Sequence, residues 1–295
     1  MKLGVVGSIN MDMIVTTERI PAKGETIKGN DISYIPGGKG ANQAVAAARL
    51  GAEVFMFGCI GNDENGKKLI QNLSKEGINT KSIKVVDELN TGLAIITVAE
   101  NDNNIIVIAG ANNAVDLSYI DSIKKDLLTC DMVLLQHEIP QETVEYVIKL
   151  CYDNHIKVIL NPAPARPVSK DVIEMIDFLT PNEHEAAIIF GSDIPIESLL
   201  KMYPEKLIIT QGEKGVAVCQ KNGEVILLPA RSTKVVDTTG AGDTLNGAFT
   251  LALSKNYPVA KALQFANIAA SLSIEKFGAQ SGMPTYEDVI KELNR

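Results

Sequence analysis

Short runs of consecutive apolar residues alternate along the chain with longer segments whose apolar residues recur every three or four positions. Residues 3–9, 54–60, 132–135, 157–160 and 178–180 are mostly apolar on successive positions, the pattern of strands buried on both faces. Residues 65–75, 118–128, 141–153 and 183–190 carry the 3.6-residue period of helices, and 168–175 forms a shorter segment ahead of the strand at 178. Residues 84–86, 207–210, 215–219 and 224–228 add further short strands. The alternation predicts an α/β fold, a mostly parallel sheet covered by helices on both faces.

Two β-rich patches interrupt this rhythm. Residues 13–17 are short and β-branched, Pro21 and Gly24 punctuate the chain after them, and 25–34 alternates loosely. Later, 91–99 and 105–109 flank the polar run Glu100-Asn101-Asp102-Asn103-Asn104, a hairpin pattern. The chain therefore divides into a large α/β domain (1–12, 38–90 and 110–295) and a small β-sheet lid (13–37 and 91–109). The alternative is that the patches merely decorate the main sheet. No internal repeat or flexible linker is present.

The most informative stretch is 235–246, Val-Val-Asp-Thr-Thr-Gly-Ala-Gly-Asp-Thr-Leu-Asn. β-Branched 234–236 reads as a strand end, Gly240-Ala241-Gly242 as a tight turn, and Leu245, Ala248, Phe249 and Ala252 as one face of a helix. Helix N-termini attract anions. A carboxylate there, Asp243, makes sense as a base that takes a proton from a nucleophile while nearby amides steady a transferring phosphoryl group. An ordinary capping Asp would give the same residues. No Gly-Lys-Ser/Thr follows the glycines, so this is not a P-loop. A second glycine turn, Gly37-Gly38-Lys39-Gly40, opens an Ala-rich helix that stops at Gly51, so Lys39 and Asn42 project from its start as hydrogen-bond donors.

Several predicted strands end in polar residues, and in a parallel sheet such ends share one edge. Asn10, Asp12, Glu138, Asn182, Glu185 and Asp243 would then meet in one cleft. Loops at that edge are polar in any such sheet.

The chain has 295 residues, is 45% hydrophobic and 22% charged, and carries a net charge of −8. That charge argues against general nucleic-acid binding. Cys59, Cys130, Cys151 and Cys219 are scattered and His137, His155 and His184 lack ligand spacing, which points to reduced thiols rather than a zinc site. The N-terminal apolar run is too brief for a signal peptide, and no run approaches the roughly 20 residues of a membrane span. The expectation is a cytoplasmic protein without a membrane partner.

Two strings, Gly37-Gly38-Lys39-Gly40-Ala41-Asn42-Gln43-Ala44 and 237–243, resemble the signatures of the ribokinase-like (PfkB) carbohydrate kinases. The likeness continues through 7–12, Asn161-Pro162-Ala163-Pro164, Thr180-Pro181-Asn182-Glu183-His184-Glu185 and Gly278-Ala279-Gln280. The resemblance implies ATP-dependent phosphorylation of a sugar, with D-ribose and its 5-hydroxyl indicated by Asn10-Met11-Asp12 and the unbroken glycine string. A fructokinase-like, 2-keto-3-deoxygluconate, deoxyribose or nucleoside kinase, or a sugar-binding protein without catalysis, remains open. By resemblance, Asp243 is the base and the amides of Gly240, Ala241 and Gly242 form the anion hole. Asn10, Asp12, Gly38, Lys39, Asn42, Glu138 and Asp243 hold the sugar. Asn182 and Glu185 act with Mg²⁺ and the ATP phosphates. Thr210, Gly212, Gly215, Gly242 and Asn267 belong to the nucleotide side. A K⁺ site uses Asp237, Thr239, Ser273, Lys276, Gly278 and Gly282, the last standing where relatives often have Ser. The lid is also implied as a homodimer contact.

Overall fold

The structure, a computed structural model, describes residues 1–99 and 102–295, so Glu100 and Asn101 of the predicted hairpin loop lie outside the described residues. In chain order it begins β1 (Lys2–Val6), β2 (Asn10–Thr16), β3 (Asp31–Gly37), α1 (Lys39–Arg49), β4 (Glu53–Phe57), β5 (Cys59–Gly61) and α2 (Glu64–Lys75). Next come β6 (Lys84–Val86), β7 (Gly92–Ala99), β8 (Asp102–Ile108), α3 (Leu117–Leu127), β9 (Met132–Gln136), α4 (Gln141–Asp153), β10 (Lys157–Asn161) and α5 (Lys170–Met175). The chain ends with β11 (Phe178–Leu179), α6 (Glu183–Phe190), α7 (Ile196–Met202), β12 (Ile208–Thr210), β13 (Val216–Cys219), β14 (Val225–Leu228), α8 (Ala241–Ser254), α9 (Val259–Ser273) and α10 (Tyr286–Leu293).

β11-β10-β9-β1-β4 form a parallel sheet, and bridges Leu179–Leu207 and Asn182–Thr210 carry it on to antiparallel β12-β13-β14. The period of two along each strand divides the core. Leu3, Val5, Leu134 and Ile159 pack with α1, α2, α8 and α9 on one face. Val6, Val133, Leu135, Val158 and Leu160 pack with α3 and α4 on the other. Both faces being apolar is why these strands read as continuous hydrophobic runs.

The smaller sheet, β3-β2-β7-β8, is formed by both β patches around Ile14, Ala94 and Ile96. It differs from the expectation at several boundaries: β3 starts only at Asp31, and β8 starts at Asp102, inside the expected hairpin loop. The first strand ends at Val6, and Asn10 and Asp12 belong to β2 of the smaller sheet rather than to the end of β1. Three other local expectations change. Residues 54–60 split into β4 and β5 at Gly58. Helices α7, α9 and α10 have no counterpart in the sequence reading. Residues 234–236 are not a strand: Val235 and Val236 are half exposed, and Val236 and Asp237 donate their N–H groups to the Ile274 carbonyl.

Candidate active site

The carboxyl ends of β1, β9, β10, β11 and β12 lead into Ser8, Glu138, Asn161, Thr180 and Thr210 respectively, all at one edge of the sheet. There, two helices begin. Gly240, in the left-handed region at φ 79°, precedes α8 and turns the chain so that Asp243 falls in its first turn. Gly38, at φ 89°, precedes α1 and starts that helix with Lys39. The two helices touch at Gly247, where a Cβ would lie 2.7 Å from the Gln43 carbonyl oxygen and 2.8 Å from the Ala46 Cβ. This close approach brings the side chains of α1 to Asp243.

Asp243 is buried, and each carboxylate oxygen accepts an amide N–H: Oδ2 from Asn42 Nδ2 and Oδ1 from Gln43 Nε2, both at 3.0 Å. A cavity of about 250 Å³ opens beside it, lined among others by Lys39, Asn182, Glu185, Thr210, Gly240 and Gly242. Seven of the expected site residues thus share one cavity. Ala241 differs: its N–H turns back to the Thr238 carbonyl at 3.2 Å.

The expected sugar residues adjoin on the other side. Glu138 Oε2 accepts the Ser8 hydroxyl at 2.5 Å and the Lys39 N–H at 3.0 Å. Asn10 is buried, and its Oδ1 accepts Asn112 Nδ2 at 2.6 Å, which turns its own NH₂ away from Asn112. Asp12 lies against the Gly37 backbone. Burial, then Glu138 and Asp243, push the Asp12 carboxyl from 3.8 up to about 7, while Lys39 opposes. Burial pulls the Lys39 ammonium down, but Asp243, Glu138, Glu185 and Asp12 together hold it above its ordinary value. One lysine therefore faces four carboxylates, an excess of negative charge that suits an added cation.

On the nucleotide side, Asn182 and Glu185 close a capping box at α6: Asn182 Oδ1 accepts the Glu185 N–H and Glu185 Oε2 the Asn182 N–H, each at 2.8 Å. Burial raises the Glu185 carboxyl despite that bond and Lys39. Gly212 opens a short turn after Thr210, and Gly215 packs on Leu228, Pro229 and Ala230. The buried Asn267 amide nitrogen is engaged by the Leu228 and Pro229 carbonyls at 3.1 and 2.8 Å, so its side chain holds that same segment.

The expected cation residues also gather. Asp237 accepts the Thr239 N–H at 2.9 Å and the Gly278 N–H at 2.8 Å, and these bonds hold its carboxyl below the ordinary value against its partial burial. A Cβ at Gly282 would overlap the Ser273 carbonyl oxygen, which explains Gly at this position. Lys276 is exposed. Among the described residues no three His, Cys, Asp or Glu side chains form a metal cluster.

Ser8, Gln43, Asn112, Gln136 and Gln280 were not singled out as site residues from the sequence; Ser8, Gln43, Asn112 and Gln280 each support an expected residue, and Gln136 supports Gln43. Their only sequence signal is a position at a strand end or inside a glycine string. A larger hollow of about 840 Å³, lined by residues such as Tyr152, Lys157, Asp177 and Lys206, opens at the opposite, amino ends of β10 and β11 and gathers none of these groups. No helix among the described residues is long and apolar enough to cross a membrane.

A base-like carboxylate on a helix N-terminus, a glycine turn on either side and a lysine between acidic groups define a site for phosphoryl transfer to a hydroxyl. The chain belongs to the pfkB family of carbohydrate kinases, whose pattern matches residues 2–286. It is similar to the ribokinase of Bacillus subtilis, with 48% identity over 290 residues and 98% of each chain covered. The crystal structure of the Thermotoga maritima ribokinase superposes with a TM-score of 0.90 at 37% identity, covering 99% of both chains. The ribokinase of Arabidopsis thaliana, determined with ribose and ATP, gives a TM-score of 0.90 at 32% identity over 99% of this chain and 98% of that one.

Proposed function

We propose that this chain transfers the γ-phosphoryl group of ATP to the 5-hydroxyl of D-ribose, giving ribose 5-phosphate and ADP. The observation that carries the reading is Asp243: buried, acceptor-only on both oxygens through Asn42 and Gln43, and beside a cavity lined by the Gly240–Gly242 turn. Its free lone pairs accept the hydroxyl proton as the sugar oxygen forms a bond to phosphorus and the bond to the ADP oxygen breaks. Lys39 and the N–H groups at the start of α8 balance the charge that develops on the transferring group. Asn10, Asp12, Gly38, Lys39, Asn42 and Glu138 hold the sugar. Polar groups of this kind reject an analogue that leaves them buried and unpaired.

ATP supplies the phosphoryl group, and Mg²⁺ neutralises its phosphate charge. The carboxylate excess around Lys39 fits such a cation, with Asn182 and Glu185 in the cavity lining. Thr210, Gly212, Gly215 and Asn267 shape the nucleotide side. The loops that Asp237 ties together, with the Ser273 carbonyl against Gly282, fit a K⁺ ion bound by backbone oxygens that steadies the anion hole. The smaller sheet acts as lid and as contact between two copies: Ile105, Ile106, Val107 and Ile108 are each about half exposed on edge strand β8. On this reading the acidic chain, with a net charge of −8, works in the cytoplasm.

The test is ADP formation with D-ribose, 2-deoxyribose, fructose, 2-keto-3-deoxygluconate and adenosine, with and without K⁺. Preferred, K⁺-stimulated turnover on ribose is expected; another preferred acceptor overturns the ribose reading. Asp243→Asn should lower turnover by roughly 10²–10⁴-fold with sugar binding retained. Turnover near that of the unaltered enzyme removes Asp243 as the base.

A further inference from the structure

Behind Asp243 lies a chain of buried amides, Gln136, Gln43 and Asn161, of which Asn161 also reaches the cavity wall. Asn161 Nδ2 donates to the Thr180 carbonyl at 3.2 Å. A carbonyl can only accept, so the orientation of the Asn161 amide is fixed by the backbone and its Oδ1 is aimed at Gln43. Gln43 must then turn its NH₂ toward Asn161, and it does, at 3.0 Å. The second hydrogen of the same NH₂ reaches Asp243 Oδ1, also at 3.0 Å. The opposite end of the Gln43 amide accepts Gln136 Nε2 at 2.6 Å. Gln43 and Gln136 are fully buried.

From this arrangement we infer that Gln43 is a positioning residue for the catalytic carboxylate. Its orientation is dictated by the backbone of Thr180 through Asn161, and it presents Asp243 with a donor. The bond favours the ionised, proton-accepting form and fixes the plane of the carboxylate, leaving its remaining lone pairs for the hydroxyl to be deprotonated. The sheet edge and α1 thereby set the base on α8. Because Gln43 sits on α1 and bonds to residues of β9, β10 and α8, a displacement of α1 against the sheet would reach Asp243 directly. Gly247 permits this by letting α1 and α8 meet, since a side chain there would press on the Gln43 carbonyl.

The inference rests on Asp243 being the base, and a double-mutant cycle separates the two. A bond from a neutral donor to a charged acceptor corresponds to roughly a 10–100-fold change in rate when the donor is removed. Gln43→Met should therefore lower kcat by that factor, with KM for sugar and for ATP changed less than about threefold. In the Asp243→Asn background the same substitution should change the residual kcat by less than about threefold, since Gln43 acts through the carboxylate. Gln43→Glu keeps the shape and the acceptor for Gln136 and should show the same dependence on background. An equal loss in both backgrounds, or an equal rise in both KM values, overturns the inference and makes Gln43 a packing residue. Undiminished turnover of Asp243→Asn alone overturns the base reading instead. Failure of both Gln43 variants to fold, read by circular dichroism, also counts against the inference, because the amide chain would then serve the fold.

Discussion

If Asp12 accepts hydroxyls of the sugar, affinity for the sugar must rise with pH. Burial and the neighbouring Glu138 and Asp243 push the Asp12 carboxyl up to about 7, with Lys39 the cation that opposes them. These groups face it from the segment after β9, from α8 and from α1. Only the ionised carboxylate is a pure acceptor for hydroxyl donors. Its ionised fraction is about a tenth at pH 6 and about nine-tenths at pH 8. The apparent dissociation constant for ribose should therefore fall about tenfold over that interval, with binding near pH 7 releasing about half a proton. Titration calorimetry at pH 5.5–8.5, repeated near pH 7 in two buffers of different ionisation enthalpy, measures both quantities. Asp12→Asn should bind weakly at every pH and lose the slope. An equal dissociation constant at pH 6 and pH 8, or an undiminished slope in Asp12→Asn, refutes the reasoning. The sign for folding is opposite. A carboxyl whose folded value lies above its unfolded value favours the native state fully below about pH 4, and this contribution is lost as pH rises through about 7. Without sugar, the Asp12 contribution to the melting temperature should therefore decline across that range.

Three substitutions test the supports of the site. Gly247→Ala pushes α1 off α8 and should destabilise by about 1–3 kcal/mol, seen as a lower melting temperature, with a fall in kcat as Asn42 and Gln43 draw away from Asp243. Asn112→Ala removes the donor that orients Asn10 and also the acceptor of the Ile9 N–H; the KM for ribose should rise roughly tenfold with KM for ATP little changed. Gly282→Ser forces the loop away from the Ser273 carbonyl and should abolish K⁺ stimulation of turnover, measured by titrating KCl against a choline background.

Much of the fold was legible because it is written locally. Val133, Leu134 and Leu135 are fully buried on alternate faces, so a parallel strand shows as an unbroken apolar run. The same logic failed at Val235 and Val236, where β-branched residues sit half exposed in a loop with no strand to pair with. It failed at Asn10 and Asp12, whose polar side chains concealed a strand because β2 turns them toward the site instead of an apolar core. The glycine turns of the site were legible for the same local reason. The groups that orient it were not, because no spacing predicts a contact such as Gln43 with Asn161, 118 positions apart, or Asn10 with Asn112, 102 apart. Such pairs exist only once the sheet has gathered its strand ends.

Asp12, Glu138 and Asp243, grouped around one lysine, would be interchangeable if charge alone distinguished them; what donates to each makes them different. Glu138 has one oxygen taken by the Ser8 hydroxyl and the Lys39 N–H, so on the proposed reading its second oxygen is the one that meets the sugar. Asp243 has a fixed amide donor on each oxygen and so remains an acceptor as α8 delivers it to the cavity. Asp12, half-buried, accepts no hydrogen bond among the described residues, so only Lys39 offsets the solvent it has lost. A sugar with the right hydroxyls replaces the solvent that Asp12 lost. One without them meets a carboxyl that has simply taken up a proton, at small cost near pH 6 and at larger cost near pH 8. On the proposed reading, discrimination at Asp12 is thus set by protonation as well as by shape.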